Sequence, residues 1–136
     1  MKLIIKLSFF LVFFAMAVSC TAATIDVPEK YNLDNDLEAV NRISTFRIKS
    51  YENIDQQSLV LEANYNDYYL LVLRRPRFEI TFGKTGIPHM GSAIIAGHDR
   101  VVMNYNTGPE YYYIDKIYKL DGRKQVTEIK KMLREE

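Results

Sequence analysis

The sequence predicts a mainly β fold: a small antiparallel barrel or rolled sheet of about six strands, ending in a short C-terminal helix. Three observations predict it. Apolar residues beyond position 43 alternate with polar ones in short runs, the period of a half-buried strand. Turn residues punctuate those runs every 8–12 positions, the spacing of hairpins in an all-β domain. Only the last ten residues return to helical spacing, with Ile129, Met132 and Leu133 on one face.

The elements follow in order. Leu37, Val40 and Ile43 recur every three residues behind Asp36, which predicts one short helical turn at the start of the domain. Phe46 and Ile48 alternate with Arg47 and Lys49, a first strand. Leu59, Leu61 and Ala63 alternate with Val60 and Glu62, a second. Asn64-Tyr65-Asn66-Asp67 is turn chemistry, because Asn and Asp tolerate left-handed backbone. Tyr68 to Leu73 is apolar on both faces, so it reads as a central strand, hairpinned to the one before.

Pro76, within Arg74-Arg75-Pro76-Arg77, ends that strand, since proline cannot donate to a central ladder. Phe78, Ile80 and Phe82 alternate with Glu79 and Thr81, and residues 83–88 read as loop. Ser92–Ala96 and Arg100–Tyr105 flank Gly97-His98-Asp99, a second hairpin. Asn106 to Pro109 turns the chain into a long aromatic strand, Tyr111–Leu120. There Tyr111 and Tyr113 share one side with Asp115, and Tyr112 faces the other with Ile114. Thr127 is positioned to cap the final helix.

The first twenty residues predict location. Lys2 and Lys6 precede an apolar run from Leu7 to Val18, and Ala17-Val18-Ser19 lead into Cys20, the single cysteine among 136 residues. Positive, apolar and small segments in that order form an export signal, and the run is short for a bilayer core of about 20 residues. A thiol behind small residues is where a bacterial lipoprotein signal is cut and acylated, so Cys20 is the expected lipidation site. The alternative is cleavage after Ala23, which leaves a soluble protein in the periplasm. Thr21, not Asp, follows the cysteine, which favours the periplasmic face of an outer membrane.

The expected organisation is a signal peptide at 1–19, a lipid anchor and flexible tether at 20–36, and a β-rich domain at 37–136. The tether reading rests on Asp26, Glu29, Asp34 and Asp36, polar residues with few apolar anchors between them. Removing nineteen of 136 residues leaves 117, enough for one domain. Removing Lys2 and Lys6 from 18 basic residues leaves 16 against 17 acidic ones. That balance gives no support for nucleic-acid binding. With Cys20 acylated, no disulfide is available.

The order Ile43-x-x-Phe46-Arg47-Ile48, Ser58-Leu59-Val60-Leu61, Tyr69-Leu70-Leu71-Val72-Leu73, Pro76, Gly97-x-Asp99 and Ile114-x-x-Ile117-x-x-Leu120 resembles a family of small bacterial envelope lipoproteins, known only as a domain of unknown function. The resemblance covers about residues 40–120 and implies location and architecture, without an activity. It also implies paired cysteines at positions where this chain has Arg77, Ile95 and Tyr113.

Candidate sites each carry a plainer alternative. Gly83-Lys84-Thr85 resembles the end of a phosphate loop, but Phe78 stands where the first glycine is needed, so a turn is the better account. His89, His98 and Asp99 could serve a hydrolase or metal-dependent enzyme in the periplasm, with Ser92 or Thr85 as nucleophile; their spacing fits no motif, and solvent-exposed turn residues are the alternative, with Asp99 bonding its own backbone. Arg74, Arg75 and Arg77, with Arg47 and Lys49 nearby, could grip an anionic envelope ligand, or form a charged edge that prevents strand-to-strand association. Tyr111, Tyr112 and Tyr113 could face an envelope protein partner, or cover the core in place of disulfides. A ligand carrier would need a cavity that six strands do not leave. The resulting expectation is an exported, membrane-anchored, non-catalytic binding or structural module, without metal or other cofactor.

Overall fold

The computed structural model describes residues 26–44, 47–77 and 93–135, and the backbone of 84–86. Nine strands occur among them: β1 (Glu38–Ala39), β2 (Arg42–Ser44), β3 (Ile48–Asn53), β4 (Ser58–Ala63), β5 (Asp67–Leu73), β6 (Lys84–Gly86), β7 (Ala93–Ile95), β8 (Arg100–Tyr105) and β9 (Gly108–Leu120). Helix α1 (Gly122–Glu135) follows. All pairings are antiparallel, in the order β3-β4-β5-β9-β8-β6, with β1 beside the end of β9 and β2 paired with β7 as a separate ribbon. The path ends at β3 and at β6 without returning on itself, so the fold is the rolled sheet and not the closed barrel.

The middle of this sheet is apolar on both faces. Every residue of β4 is buried, and so is β5 from Leu70 to Leu73. Alternation therefore sorts the side chains into two cores. Val60, Leu70, Val72 and Leu120 pack under α1, against Val126, Ile129 and Leu133. Leu59, Leu61, Leu71 and Leu73 pack on the other face, against Ile43 and Ile94 of the ribbon and Val101 and Met103 of β8. Burying apolar area on both sides contributes about 25 cal/mol per Å² removed from water.

Strand β9 joins the two halves. Its last residues pair with β5 on one side and β1 on the other, and its first residues pair with β8. The register slips between Val72↔Lys116 and Leu73↔Ile114, leaving Asp115 as a bulge. Tyr112 and Ile114 before the bulge face the ribbon, while Tyr118 and Leu120 beyond it face the helix.

The turn at 64–67 forms as the sequence predicts, with Asn64 at φ 52° and Asn66 at φ 62°. Other elements differ. The Leu37-Val40-Ile43 spacing makes no helix, because Val40 N–H bonds the Ile117 carbonyl at 2.9 Å and draws the chain along the edge of β9. Residues 93–105 form no hairpin: β7 pairs with β2 and β8 with β9. Gly97, at φ 75°, turns the chain between sheets, and its N–H reaches the Ile114 carbonyl at 2.7 Å. Residues 84–86 are strand β6, not loop, paired with Val102–Asn104. Helix α1 starts at Gly122 rather than Thr127; Gln125 Oε1 accepts the Asp121 N–H at 2.6 Å there, and Thr127 Oγ1 bonds the Arg123 carbonyl inside the helix. Met132 is exposed, and Val126 takes the core position instead. The strand expected at Phe78–Phe82, and Phe46, lie outside the described residues.

The segment before β1 is part of the fold, which corrects the tether boundary at 36. A 3₁₀ turn at Glu29–Tyr31 seats Tyr31, 3% exposed, and Leu33 and Leu37 are buried with it against the helix-side core. Composition does not show this, because Lys116 and Tyr118, the partners of Asp34, lie far along the chain on β9.

We predict that Leu71→Ala costs about 3 kcal/mol, as expected for a core leucine that leaves a cavity, while Tyr65→Ala, at a site 81% exposed, changes stability by less than about 0.5 kcal/mol. Urea unfolding midpoints of the two variants check this.

Candidate functional site

The three arginines around Pro76 separate. Arg77 is 1% exposed and points inward. Its Nε donates to the Gln56 carbonyl at 3.1 Å, Nη1 to Asn53 Oδ1 at 2.5 Å, and Nη2 to the carbonyls of Asp55 at 2.6 Å and Ser58 at 3.2 Å. Its backbone N–H also bonds the Gln56 carbonyl, at 2.8 Å. Four of the five N–H groups of a guanidinium are thus spent on the β3–β4 turn. Burial holds its pKa below the ordinary arginine value, opposed by Tyr105 and Asp55. The sequence reading put Arg77 on an anion-gripping corner; the fold makes it the pin of a turn.

Asp55 organises the same turn from within. Its Oδ1 accepts the N–H of Gln57 at 2.8 Å, the N–H of Ser58 at 2.7 Å and the Ser58 hydroxyl at 2.8 Å, and Oδ2 accepts the Tyr31 hydroxyl at 2.8 Å. Burial alone would raise its pKa, but these donors and Lys30 outweigh it and hold the carboxyl below its ordinary value. Burial, then the Asp55 contact, pushes the Tyr31 phenol well above its ordinary value. Sequence reasoning passed over this hub, although Asp55-Gln56-Gln57-Ser58 is a recognisable Asx-turn signature.

Arg74 and Arg75 stay at the surface and meet the tyrosine run. Arg74 Nε lies 3.6 Å from Asp115 Oδ1, with its guanidinium 5.7 Å from the Tyr113 ring centre. Arg75 Nη2 donates to the Tyr111 carbonyl at 3.2 Å and lies 4.8 Å from the Tyr112 ring. Arg100 on β8 completes the group, 4.3 Å from the Tyr111 ring. Tyr111 and Tyr113 are 41% and 43% exposed, whereas Tyr112 is fully buried and donates to Glu110 Oε2 at 2.6 Å. The expected alternation of the three tyrosines holds: Tyr112 fills core, while Tyr111 and Tyr113 lie at the surface. Lys49 is no part of this group; it pairs with Glu62 at 2.9 Å and lies over Tyr65, toward the other end of β5.

Beside this surface lies a cleft of about 550 Å³ between Asp26–Asn32 and Asp115–Lys116. The buried Tyr118 hydroxyl ties the N-terminal segment to β9, accepting the Leu33 N–H at 3.1 Å and donating to Asp34 Oδ1 at 2.9 Å. Lys116 Nζ donates to Asp34 Oδ2 at 2.6 Å, and those two bonds hold the Asp34 carboxyl below its ordinary value.

His98 is exposed, 3.5 Å from Asp99, while Asp99 Oδ2 accepts the Ile95 N–H at 2.6 Å and so bonds its own turn. His89, Ser92 and Cys20 lie outside the described residues. Among the described residues no three metal-ligating side chains converge, and no helix is long and apolar enough to cross a membrane.

The described residues thus form a β-rich domain, a rolled antiparallel sheet that carries an arginine–tyrosine surface. The whole chain, residues 1–136, matches the model of a family of unknown function (DUF6491), and it belongs to that family. Neither the curated proteins nor the solved structures gave a match.

Two predictions follow from the turn hub. Arg77→Met should cost about 3 kcal/mol or more, because several buried carbonyls lose their donor at once, and Arg77→Lys should not restore it, since an ammonium lacks the planar fork. Denaturant unfolding decides. For Asp55, a depressed folded pKa means its stabilisation is complete above the ordinary value of about 3.9 and disappears as pH falls through the folded value. Asp55→Asn should therefore lower stability at pH 7 and give a shallower loss below about pH 4; parallel pH curves for the two proteins would contradict this.

Proposed function

We propose that the chain is an exported lipoprotein of the bacterial envelope, anchored through acylated Cys20 and acting as a non-catalytic binding or structural module. The observation that carries this reading is the order at the N-terminus: Lys2 and Lys6, the apolar run to Val18, then Ser19-Cys20. Thr21 after the cysteine supports the periplasmic face of an outer membrane. Acylation on several chains supplies firm anchoring, at about 0.8 kcal/mol per buried CH₂.

The use of polar side chains in the domain supports a non-catalytic role. Arg77, Asp55, Asp99 and Tyr112 are engaged in bonds that shape turns and strands. The groups that face outward together are Arg74, Arg100, Tyr111 and Tyr113, which suit contact with an envelope partner or an anionic surface.

Cys20→Ala should move the protein from the membrane fraction to the soluble fraction, with a diacylglyceryl-modified N-terminal peptide seen by mass spectrometry only in the wild type. A wild-type mature protein that begins at Thr24 and carries no lipid would contradict the proposal.

A further inference from the structure

We infer that the open half of β9, with Tyr111, Tyr113, Arg74 and Arg100, rests against anionic phospholipid headgroups of the membrane that holds the N-terminus. The inference rests on the lipid anchor at Cys20 proposed above. Three independent features of the fold converge on it.

The first is an uneven cover. Beyond the Asp115 bulge, the helix-side face of β9 carries Tyr118 and Leu120, buried under the N-terminal segment and α1. Before the bulge, the same face carries Tyr111 and Tyr113, both substantially exposed.

The second is reach. The described chain begins at Asp26, in the cleft whose opposite wall is Asp115 and Lys116. Asp115 in turn pairs with Arg74, which lies over Tyr113. Five residues separate Cys20 from Asp26, so the two lie at most about 22 Å apart along fully extended chain. An anchor that short brings the rim of this cleft, and the tyrosines beside it, close to the bilayer surface.

The third is chemistry. Tyrosine is favoured at the headgroup level, where an apolar ring and a polar hydroxyl are both satisfied. Arg74 and Arg100 lie over Tyr113 and Tyr111, a stacking that leaves the edge N–H groups of a guanidinium directed at phosphate oxygens. Nearby acids are accounted for: Asp115 is paired with Arg74 and Glu110 with Tyr112. Asp26 and Glu29 line the same cleft, on the wall opposite Asp115 and Lys116. On this face Arg74 and Arg100 exceed Asp115 by one charge, since Glu110 is turned to the side of Tyr112, and that net positive charge sits within a Debye length of an anionic leaflet.

The test uses the full processed protein, purified from membranes and reconstituted into vesicles of phosphatidylcholine alone or mixed with phosphatidylglycerol. Hydroxyl-radical footprinting reads each tyrosine, with Tyr65, exposed in the turn at the other end of β5, as internal control. Oxidation of Tyr111 and Tyr113 should fall several-fold in the anionic vesicles while Tyr65 is unchanged. An Arg74→Gln/Arg100→Gln variant should lose that protection yet still float with both vesicle types. Equal oxidation in the two vesicles would overturn the inference, as would equal protection by soluble polygalacturonate without vesicles. Failure to float with neutral vesicles would instead overturn the lipid anchor itself, a separate readout.

Discussion

A sheet that is apolar on both faces must be covered twice, and the rest of this structure answers to that constraint. Strands β4 and β5 carry leucine and valine at successive positions, so no single layer can remove them from water. Helix α1 and the segment around Tyr31 and Leu33 cover one side, and the β2–β7 ribbon with β8 covers the other. The long β9 serves both layers by changing the direction of its side chains at the Asp115 bulge. Among the described residues, the half of β9 that carries Tyr111 and Tyr113 keeps one face part-exposed, with Arg74 and Arg100 stacked on it.

The sequence holds one cysteine, so no intrachain disulfide ties these layers together. Arg77 performs a comparable task without a covalent bond. It lies just past the end of β5 and grips three carbonyls and one amide oxygen in the turn from Asn53 to Ser58. Gln57 reinforces the join, with Nε2 on the Leu73 carbonyl at 2.9 Å and its own carbonyl on the Leu73 N–H at 2.8 Å. Asp55 extends the same network to Tyr31, so one turn connects the sheet to the N-terminal segment. A buried cation is costly unless every donor is satisfied. Here three backbone carbonyls and the Asn53 amide oxygen engage four of its five donors, and the turn is fixed as a result.

Much of the fold was legible where local pattern decides it. Tyr68–Leu73 reads as a central strand because no polar residue interrupts it, and the Asn64–Asp67 turn because its residues tolerate positive φ. The alternation of Tyr111, Tyr112 and Tyr113 follows from strand geometry alone. Four features escaped because distant partners decide them. Arg77 reads as surface charge until a turn some twenty residues earlier supplies its acceptors. Asp34 and Leu33 read as tether until Tyr118 and Lys116, more than eighty positions away, engage them. Ala93–Ile95 reads as a hairpin arm until β9 claims β8, which leaves β2 as its partner. Arg100 was missed for the same reason, since only the register of β8 on β9 brings it over Tyr111.

Native-state hydrogen exchange at single-residue resolution tests the two-sided cover most directly. If the segment before β1 is an integral layer, the amides of Leu33 and Leu37 exchange as slowly as those of Leu70 and Leu71, through the same global opening. Exchange of Leu33 and Leu37 at free-peptide rates, with β5 still protected, would contradict the account.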